Sequence, residues 1–311
     1  MTGASARAIG SGSAGPASRT GAVVVNYNAG AALTACVASL RAAGVAEIVV
    51  VDNGSSDGSL ATLAAGDANA RIVRAGRNLG YGTAVNRGAE LCAEPFVLVL
   101  NPDIVIDPGA VDVLGGVLEA EPDVAVVGPS IHEPGGALYP SARSFPSFTV
   151  GAGHALVGLF WPGNPWTRSY RGASAPDGAA APRARESDWV SGACCLVRRE
   201  AFETVGGFDE GYFMYVEDLD LCWRLRRAGW RVLYEPAAVA VHDQGLSAAT
   251  RPYRMLAAHH RSTLRFARKS LVGARALLLV PVAGGLAVRL GLAWAQQLLS
   301  RRRGSRPPGL D

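Results

Sequence analysis

Charge is scarce in this chain of 311 residues: charged side chains make up 18% of it, and 30 basic against 26 acidic residues leave a net +4. So even a balance argues against a nucleic-acid binder, which gathers basic excess on one face. The five cysteines are odd in number and contain no CxxC spacing; Cys194 and Cys195 are adjacent, and Cys36, Cys92 and Cys222 fall in apolar helical patterns. That pattern excludes a zinc ribbon or a disulfide framework and points to buried thiols in a reducing compartment. A GxGxxG fingerprint is missing, which weighs against a dinucleotide dehydrogenase. No uncharged apolar run reaches the length of about 18 residues that a membrane span needs. The longest, Ala276 to Val288, lies between Arg275 and Arg289 and is interrupted by Pro281. Residues 1–20, rich in Gly, Ala, Ser and Arg, read as a disordered tail rather than an export signal. Internal repeats are absent.

What is present is enough apolar material for a large core, 49% of the chain. From Gly21 to Gly128, β-branched runs alternate with helical stretches. Residues 22–26, 47–52, 71–74, 96–100 and 124–127 read as buried strands, and 31–42, 59–65, 83–92 and 110–120 as helices. Apolar runs without strict alternation suit a mostly parallel sheet covered on both faces, an α/β doubly wound fold of Rossmann-like type. Ligands of such sheets bind beyond the carboxyl ends of the strands. Residues 132–187, rich in Gly, Ala and Pro, read as a mobile loop with a short interfacial helix near 150–160. Order returns with a strand at 190–197, a helix at 215–228, strands at 231–234 and 239–242, and one long helical stretch after Gly245.

Polar residues follow the strands directly. Strand one ends in Asn26-Tyr27-Asn28 and strand two in Asp52-Asn53-Gly54-Ser55-Ser56-Asp57-Gly58. Carboxylates there can accept hydrogen bonds from a nucleobase or ribose. Asp57 also reads as a helix cap, whereas Asp52 sits at a strand tip where no cap is needed. Arg77-Asn78-Leu79-Gly80-Tyr81-Gly82 approaches a helix N-terminus, a place that favours phosphate, although turn chemistry explains the same residues. Asn101-Pro102-Asp103 ends strand four. An aspartate there can hold a hard divalent cation bridging diphosphate oxygens, or simply make an Asx turn; Asp107 reads as the cap of the next helix.

The densest signal is Glu217-Asp218-Leu219-Asp220 after the aromatic, Gly-rich segment 206–216. In the first turn of a helix starting near Tyr215, the positive helix end keeps Asp218 ionised, as a general base must be; plain dipole complementarity is the competing reading. Asp220 and Arg224, spaced i, i+4, read as a salt bridge. His242 follows a strand, where a lone histidine is more often structural than metal-binding. His132, His154, His259 and His260 have no comparable context.

These motifs together resemble glycosyltransferase family 2. They are residues 23–28, 50–57, 78–80, 101–103, Trp189-Val-Ser-Gly192-Ala and 217–224, six in order at compatible spacing over about residues 21–245. Within the family they are similar to bacterial rhamnosyltransferases acting on lipid-linked acceptors. The resemblance implies a GT-A fold and inverting transfer from a nucleoside-diphosphate sugar, with dTDP-rhamnose as leading donor and a polyprenyl-diphosphate-linked saccharide as acceptor. Carried over by position, Tyr27, Asn28, Asp52, Asn53, Asn78, Gly80, Asn101 and Asp103 would line the nucleotide-sugar site. Trp189, Gly192 and Glu217 would support the acceptor side, and Asp218 would be the base. Asp103 and His242 would hold Mg²⁺ or Mn²⁺. Asn101 stands where the family's Asp-x-Asp motif has its first aspartate, which leaves one carboxylate fewer for the metal.

The resemblance frames residues 21–245 as the transferase domain, 246–300 as a helical extension and 301–311 as a basic tail. Arg261, Arg268, Arg275 and Arg289 recur at multiples of seven and Gln296 continues the series, as in a helix lying in a membrane interface; a helix packed on protein is the alternative. The expected place is the cytoplasmic face of a bacterial membrane, as a peripheral protein and possible oligomer, with no nucleic-acid partner. Rival readings are a family member moving galactofuranose, galactose or glucose for capsule or O-antigen, and a nucleotide-sugar-binding protein without transfer activity.

Overall fold

β-Branched runs set the architecture. In the computed structural model, residues 15–66, 69–145, 161, 163, 184–243 and 252–302 are described. The elements are β1 (Thr20–Asn26), α1 (Ala32–Ala42), β2 (Glu47–Asp52), α2 (Ser59–Gly66), β3 (Arg71–Arg74), α3 (Tyr81–Ala89), β4 (Phe96–Leu100), β5 (Ile104–Ile106), α4 (Ala110–Ala120) and β6 (Val124–His132). There follow β7 (Leu138–Tyr139), β8 (Ala142–Arg143), β9 (Arg185–Glu186), β10 (Trp189–Val190), β11 (Cys194–Arg198), α5 (Arg199–Thr204) and α6 (Glu217–Arg227). Last come β12 (Arg231–His242), α7 (Pro252–Ser270) and α8 (Leu279–Arg302).

The main sheet has the order β3-β2-β1-β4-β11-β6-β12-β5. Its first four strands are parallel, as the alternating strand and helix patterns predict. β11 then enters antiparallel to both β4 and β6, and β12 runs parallel to β6. Every residue of β1 and β4 is buried, because the sheet is covered on both faces. Val24, Leu98 and Leu196 face one core with Leu33, Leu40 and Leu114, while Val23, Val99 and Val197 face the other with Ala84, Val85 and Leu225. Burying each such Val or Leu contributes roughly 1.5–3 kcal/mol. All five cysteines are free and buried in these layers.

Several boundaries differ from expectation. β6 continues to His132, and the two strands expected at 231–234 and 239–242 are one strand with a register shift between Glu235 and Val239. Pro236 lies in that shift, where a residue without N–H interrupts the ladder without ending the strand. The expected tail is ordered from residue 15 on: Pro16–Arg19 forms a 3-10 turn, and Ala17 N–H donates to Asp112 at 2.9 Å. Asp107 does not cap α4, which starts after Gly109 with no side-chain cap. Residues 138–139, 142–143 and 185–186 of the supposed loop are strands; the helix expected near 150–160, nearly all of residues 146–183 and most of the basic tail lie outside the described residues.

The C-terminal stretch is two helices rather than one. Leu271 and Val272 break it, and a 3-10 turn, Gly273–Leu278, leads into α8. α8 packs against α7 and brings Arg289 near His260, so the arginines at multiples of seven do not share one helix face. Pro281 falls in the first turn of α8, where its missing N–H costs little. Counting across Arg275 and Arg289, Gly273–Ala295 is by length and composition long enough to cross a membrane, which corrects the expectation of too short a run.

Helix α3 lies close on the sheet because Gly88 has no side chain: a Cβ there would overlap Val23 Cγ1 and stand 3.0 Å from Val51 Cγ2. Gly88→Val should lower the unfolding free energy by about 1–3 kcal/mol in urea titration. Gly116, in α4, faces open space, and Gly116→Ala should raise it by about 0.5–1 kcal/mol in the same assay.

Candidate active site

The tips of β1 and β2 are tied together by side chains. The Asn26 amide donates to Asp52 Oδ1 (2.9 Å), Ser55 Oγ (3.0 Å) and Ser59 Oγ (2.9 Å), while Asp52 Oδ2 accepts the Ser55 N–H at 3.2 Å. Asp52 is therefore buried with its carboxylate turned inward, and Tyr27, 37% exposed, is the group this loop presents outward. Asn28 is left-handed (φ 54°), and its Oδ1 accepts the Ser56 N–H at 2.8 Å. Asp57 accepts the N–H groups of Gly30 and Ser59, so its carboxylate holds the turn that leads into α2.

A second loop is fastened to this one. Buried Asn53 donates to the Gly80 carbonyl at 3.1 Å and accepts from Leu79 N–H at 3.3 Å; Asn78 Oδ1 accepts from Gly80 N–H at 2.9 Å. Gly80 needs φ 89°, and a Cβ on it would overlap the Phe213 carbonyl oxygen. The first amide of α3, Tyr81 N–H, donates to that same oxygen at 3.1 Å, so this donor serves the fold.

The approach to α6 begins where β11 meets β4. Asn101 N–H donates to Ala193 O at 2.9 Å, and Gly192 N–H donates to Asp218 Oδ2 at 2.9 Å. Leu219 N–H holds Asp218 Oδ1 at 2.8 Å, and Tyr81 Oη donates to the Gly192 carbonyl at 2.6 Å. A Cβ on Gly192 would stand 3.2 Å from Asp218 Cβ, tighter than ordinary packing. On the other flank, His242 Nε2 lies 3.1 Å from Asp103 Oδ1 and 3.4 Å from Asn101 Nδ2. The Gly192-Ala193 backbone thus links Asp218 to the Asn101–Asp103–His242 group at one sheet edge. Trp189, in β10 three residues before Gly192, donates its indole N–H to Ser144 O at 3.1 Å.

Asp218 is aimed by a strained turn. Tyr215 (φ 68°) and Val216 (φ 70°) are both left-handed, a conformation costing roughly 1–3 kcal/mol per non-glycine residue, so α6 starts at Glu217 rather than Tyr215. Helix α7 holds the turn: Ser262 Oγ donates to Met214 O at 2.8 Å, and the His259 ring meets Tyr215 edge-on at 5.6 Å. Arg265 grips Asp209 through two bonds of 2.8 and 2.9 Å. Lys269 reaches Asp209 at 2.6 Å and fully buried Asp220 at 2.7 Å. The expected Asp220–Arg224 pair is present at 2.7 Å, but Lys269 as third partner carries no sequence signal, being far along the chain. Tyr81 was missed for the same reason.

Burial, more than the helix dipole, governs the adjacent carboxyls. It pushes Glu217 up, with the Asp218 charge adding to the effect, to about 8; its Oε2 has no partner. Burial also pushes Asp218 upward, opposed by the N–H groups of Gly192 and Leu219 and by Arg143. The hydrogen-bonded Asp218 is therefore the member that keeps the charge, and Glu217 the member that keeps a proton. For a cation, the described residues offer no group of three or more His, Cys, Asp or Glu. What Asp103 and His242 offer is one carboxylate oxygen and one imidazole nitrogen, with buried His242 Nδ1 lacking a partner. That set suits a hard cation that takes one or two protein ligands and completes its shell with substrate phosphates.

The sheet with its gathered acidic tips defines a GT-A glycosyltransferase. Two solved structures share the fold: a mannosyltransferase from Pyrobaculum calidifontis in complex with GDP-Man and Mn²⁺ (TM-score 0.53, 15% identity, 92% of this chain and 79% of that one), and GalNAc-T7 with UDP, GalNAc and Mn²⁺ (TM-score 0.54, 17% identity, 73% and 44%). The glycosyl transferase family 2 model matches residues 22–206, and the chain belongs to that family. It is 41% identical over 295 residues, 90% of this chain and 94% of the relative, to the N-acetylglucosaminyl-diphospho-decaprenol L-rhamnosyltransferase of Mycobacterium tuberculosis.

A folded-state pKa raised from 4.5 to about 8 means that Glu217 contributes stability fully present below its unfolded value and lost as pH rises toward 8. Unfolding free energy measured in urea from pH 5 to 9 should therefore fall over this window, and Glu217→Gln should flatten the slope.

Proposed function

We propose that this glycosyltransferase is an inverting L-rhamnosyltransferase, with dTDP-rhamnose as donor and a polyprenyl-diphosphate-linked saccharide as acceptor. The observation that carries the reading is the 41% identity, over nearly the whole of both chains, to a relative named for decaprenol-diphosphate-linked N-acetylglucosamine. The geometry supports it chemically. Asp218, fixed through both oxygens by backbone N–H groups, accepts the proton of the acceptor hydroxyl as that oxygen attacks the anomeric carbon opposite the leaving diphosphate. Tyr27 lies against the nucleobase, and Asp52, Asn53, Asn28, Asn78 and Gly80 shape the loops beside it. Asp103 and His242 hold a divalent cation, Mg²⁺ or Mn²⁺, which when bound supplies positive charge to the diphosphate as it leaves. Protonated Glu217 donates no charge of its own to compete with Asp218, and Trp189 and Gly192 bound the acceptor side.

The helix pair supports a place on the cytoplasmic face of a bacterial membrane, where a lipid-linked acceptor is found. α8 exposes Val280, Val288, Leu292 and Trp294, with Leu277 just before it. This apolar surface beside basic residues fits a bilayer interface.

Full-length protein incubated with dTDP-rhamnose and a polyprenyl-diphosphate N-acetylglucosamine should form the rhamnosylated lipid by mass spectrometry, more with Mg²⁺ or Mn²⁺ than with chelator. Preference for another sugar nucleotide in a competition panel would overturn the donor. Asp218→Asn should lower kcat about 10²- to 10⁴-fold with donor affinity kept; retained turnover removes the base assignment. A chain ending at Ser270 should lose flotation with anionic vesicles yet still glycosylate a water-soluble acceptor.

A further inference from the structure

One cation beside the reacting centre has no part in the roles above. Arg143 closes β8, and β10 pairs Trp189 directly opposite it. Its guanidinium lies 5.6 Å from the centre of the Tyr139 ring and 5.2 Å from that of Trp189. Nε donates to the Pro140 carbonyl at 2.7 Å, and Nη2 reaches Tyr139 Oη at 3.4 Å. These contacts orient a planar fork without neutralising it. Among the described residues, no carboxylate pairs with Arg143.

Its position is set by three links. Ser191 N–H donates to Ser141 O at 2.7 Å, so the strand carrying Arg143 runs beside Ser191-Gly192, whose amide holds Asp218. The charge of Arg143 is felt at Asp218. On its far side, the Tyr139 ring meets the His242 ring edge-on at 6.2 Å, next to Asp103. Arg143 therefore neighbours the base and, through the Tyr139 ring, the Asp103–His242 pair, half-buried and flanked by aromatic rings. A preoriented, partly desolvated guanidinium, unpaired with any carboxylate among the described residues, matches the oxygens of a phosphate bidentately, in a way an ammonium does not.

We propose that Arg143 binds a substrate diphosphate at the reacting centre. The proposal rests on the transferase reading above, in which both substrates carry a diphosphate: the nucleotide of the donor and the polyprenyl anchor of the acceptor.

Steady-state kinetics of full-length wild type, Arg143→Lys and Arg143→Met test it with three varied substrates: the sugar nucleotide, the diphosphate-linked acceptor and a neutral alkyl glycoside of the same acceptor sugar. Arg143→Lys should raise KM for one diphosphate-bearing substrate about tenfold to a hundredfold. It should leave KM for the neutral glycoside unchanged. A rise for the lipid diphosphate alone assigns the acceptor; a rise for the sugar nucleotide assigns the donor. The pH profile of kcat separates charge from shape: lysine keeps it, whereas methionine moves its acidic limb upward by removing a positive neighbour of Asp218. Unchanged KM values in Arg143→Lys, or an equal rise with the neutral glycoside, overturn the proposal. Titration calorimetry with dTDP and with geranyl diphosphate measures the same contact without turnover. A wild type inactive toward the substrate pair would defeat the functional reading, while equal diphosphate affinity of wild type and Arg143→Met would defeat this one.

Discussion

The hydrogen bond from Gly192 N–H to Asp218 is the constraint on which the site depends. It needs β11 to begin beside β4, a glycine where α6 comes closest, and a turn that delivers Asp218 at the first step of its helix. Each requirement is met by a different part of the chain, and none is local. The sheet supplies rigidity, since strand tips buried on both faces move little relative to one another. The strained residues Tyr215 and Val216 supply aim, and α7 supplies the contacts that keep the strain from relaxing. A backbone conformation that costs energy persists only where surrounding structure over-determines it.

Adjacent carboxyls with unequal surroundings divide one charge between them. Asp218 has two N–H donors, whereas Glu217 is enclosed with one oxygen unpartnered. A dipole argument from sequence treats the two as equivalent first-turn acids. Enclosure separates them, and enclosure depends on what packs above the helix rather than on helix position.

Much of the fold was legible because its signals are local: β-branched runs for β1, β2 and β4, and turn residues at their ends. The spacing of Asp220 and Arg224 likewise announced their pair. What stayed hidden is non-local. The antiparallel entry of β11 reads in sequence as just another apolar run, and three-residue β5 is too short to show a period. Asp52, at a strand tip, gave no hint that Asn26 and Ser55 would turn its carboxylate inward. The break at Leu271–Val272 was invisible because helical patterning continues on both sides of it. Pairing of Tyr81 with Gly192, or of Lys269 with Asp209 and Asp220, leaves no trace in spacing, since the partners are distant along the chain.

The enclosed thiols have a chemical consequence for the cell that makes this protein. Oxidants and electrophiles attack thiolate, and burial pushes the Cys92 thiol up to about 11 and those of Cys194 and Cys222 to about 12. Cys36 and Cys195 are pushed up in the same way. The thiols of a native molecule are therefore protected from peroxide, and labelling by a maleimide would count unfolded chains rather than working ones.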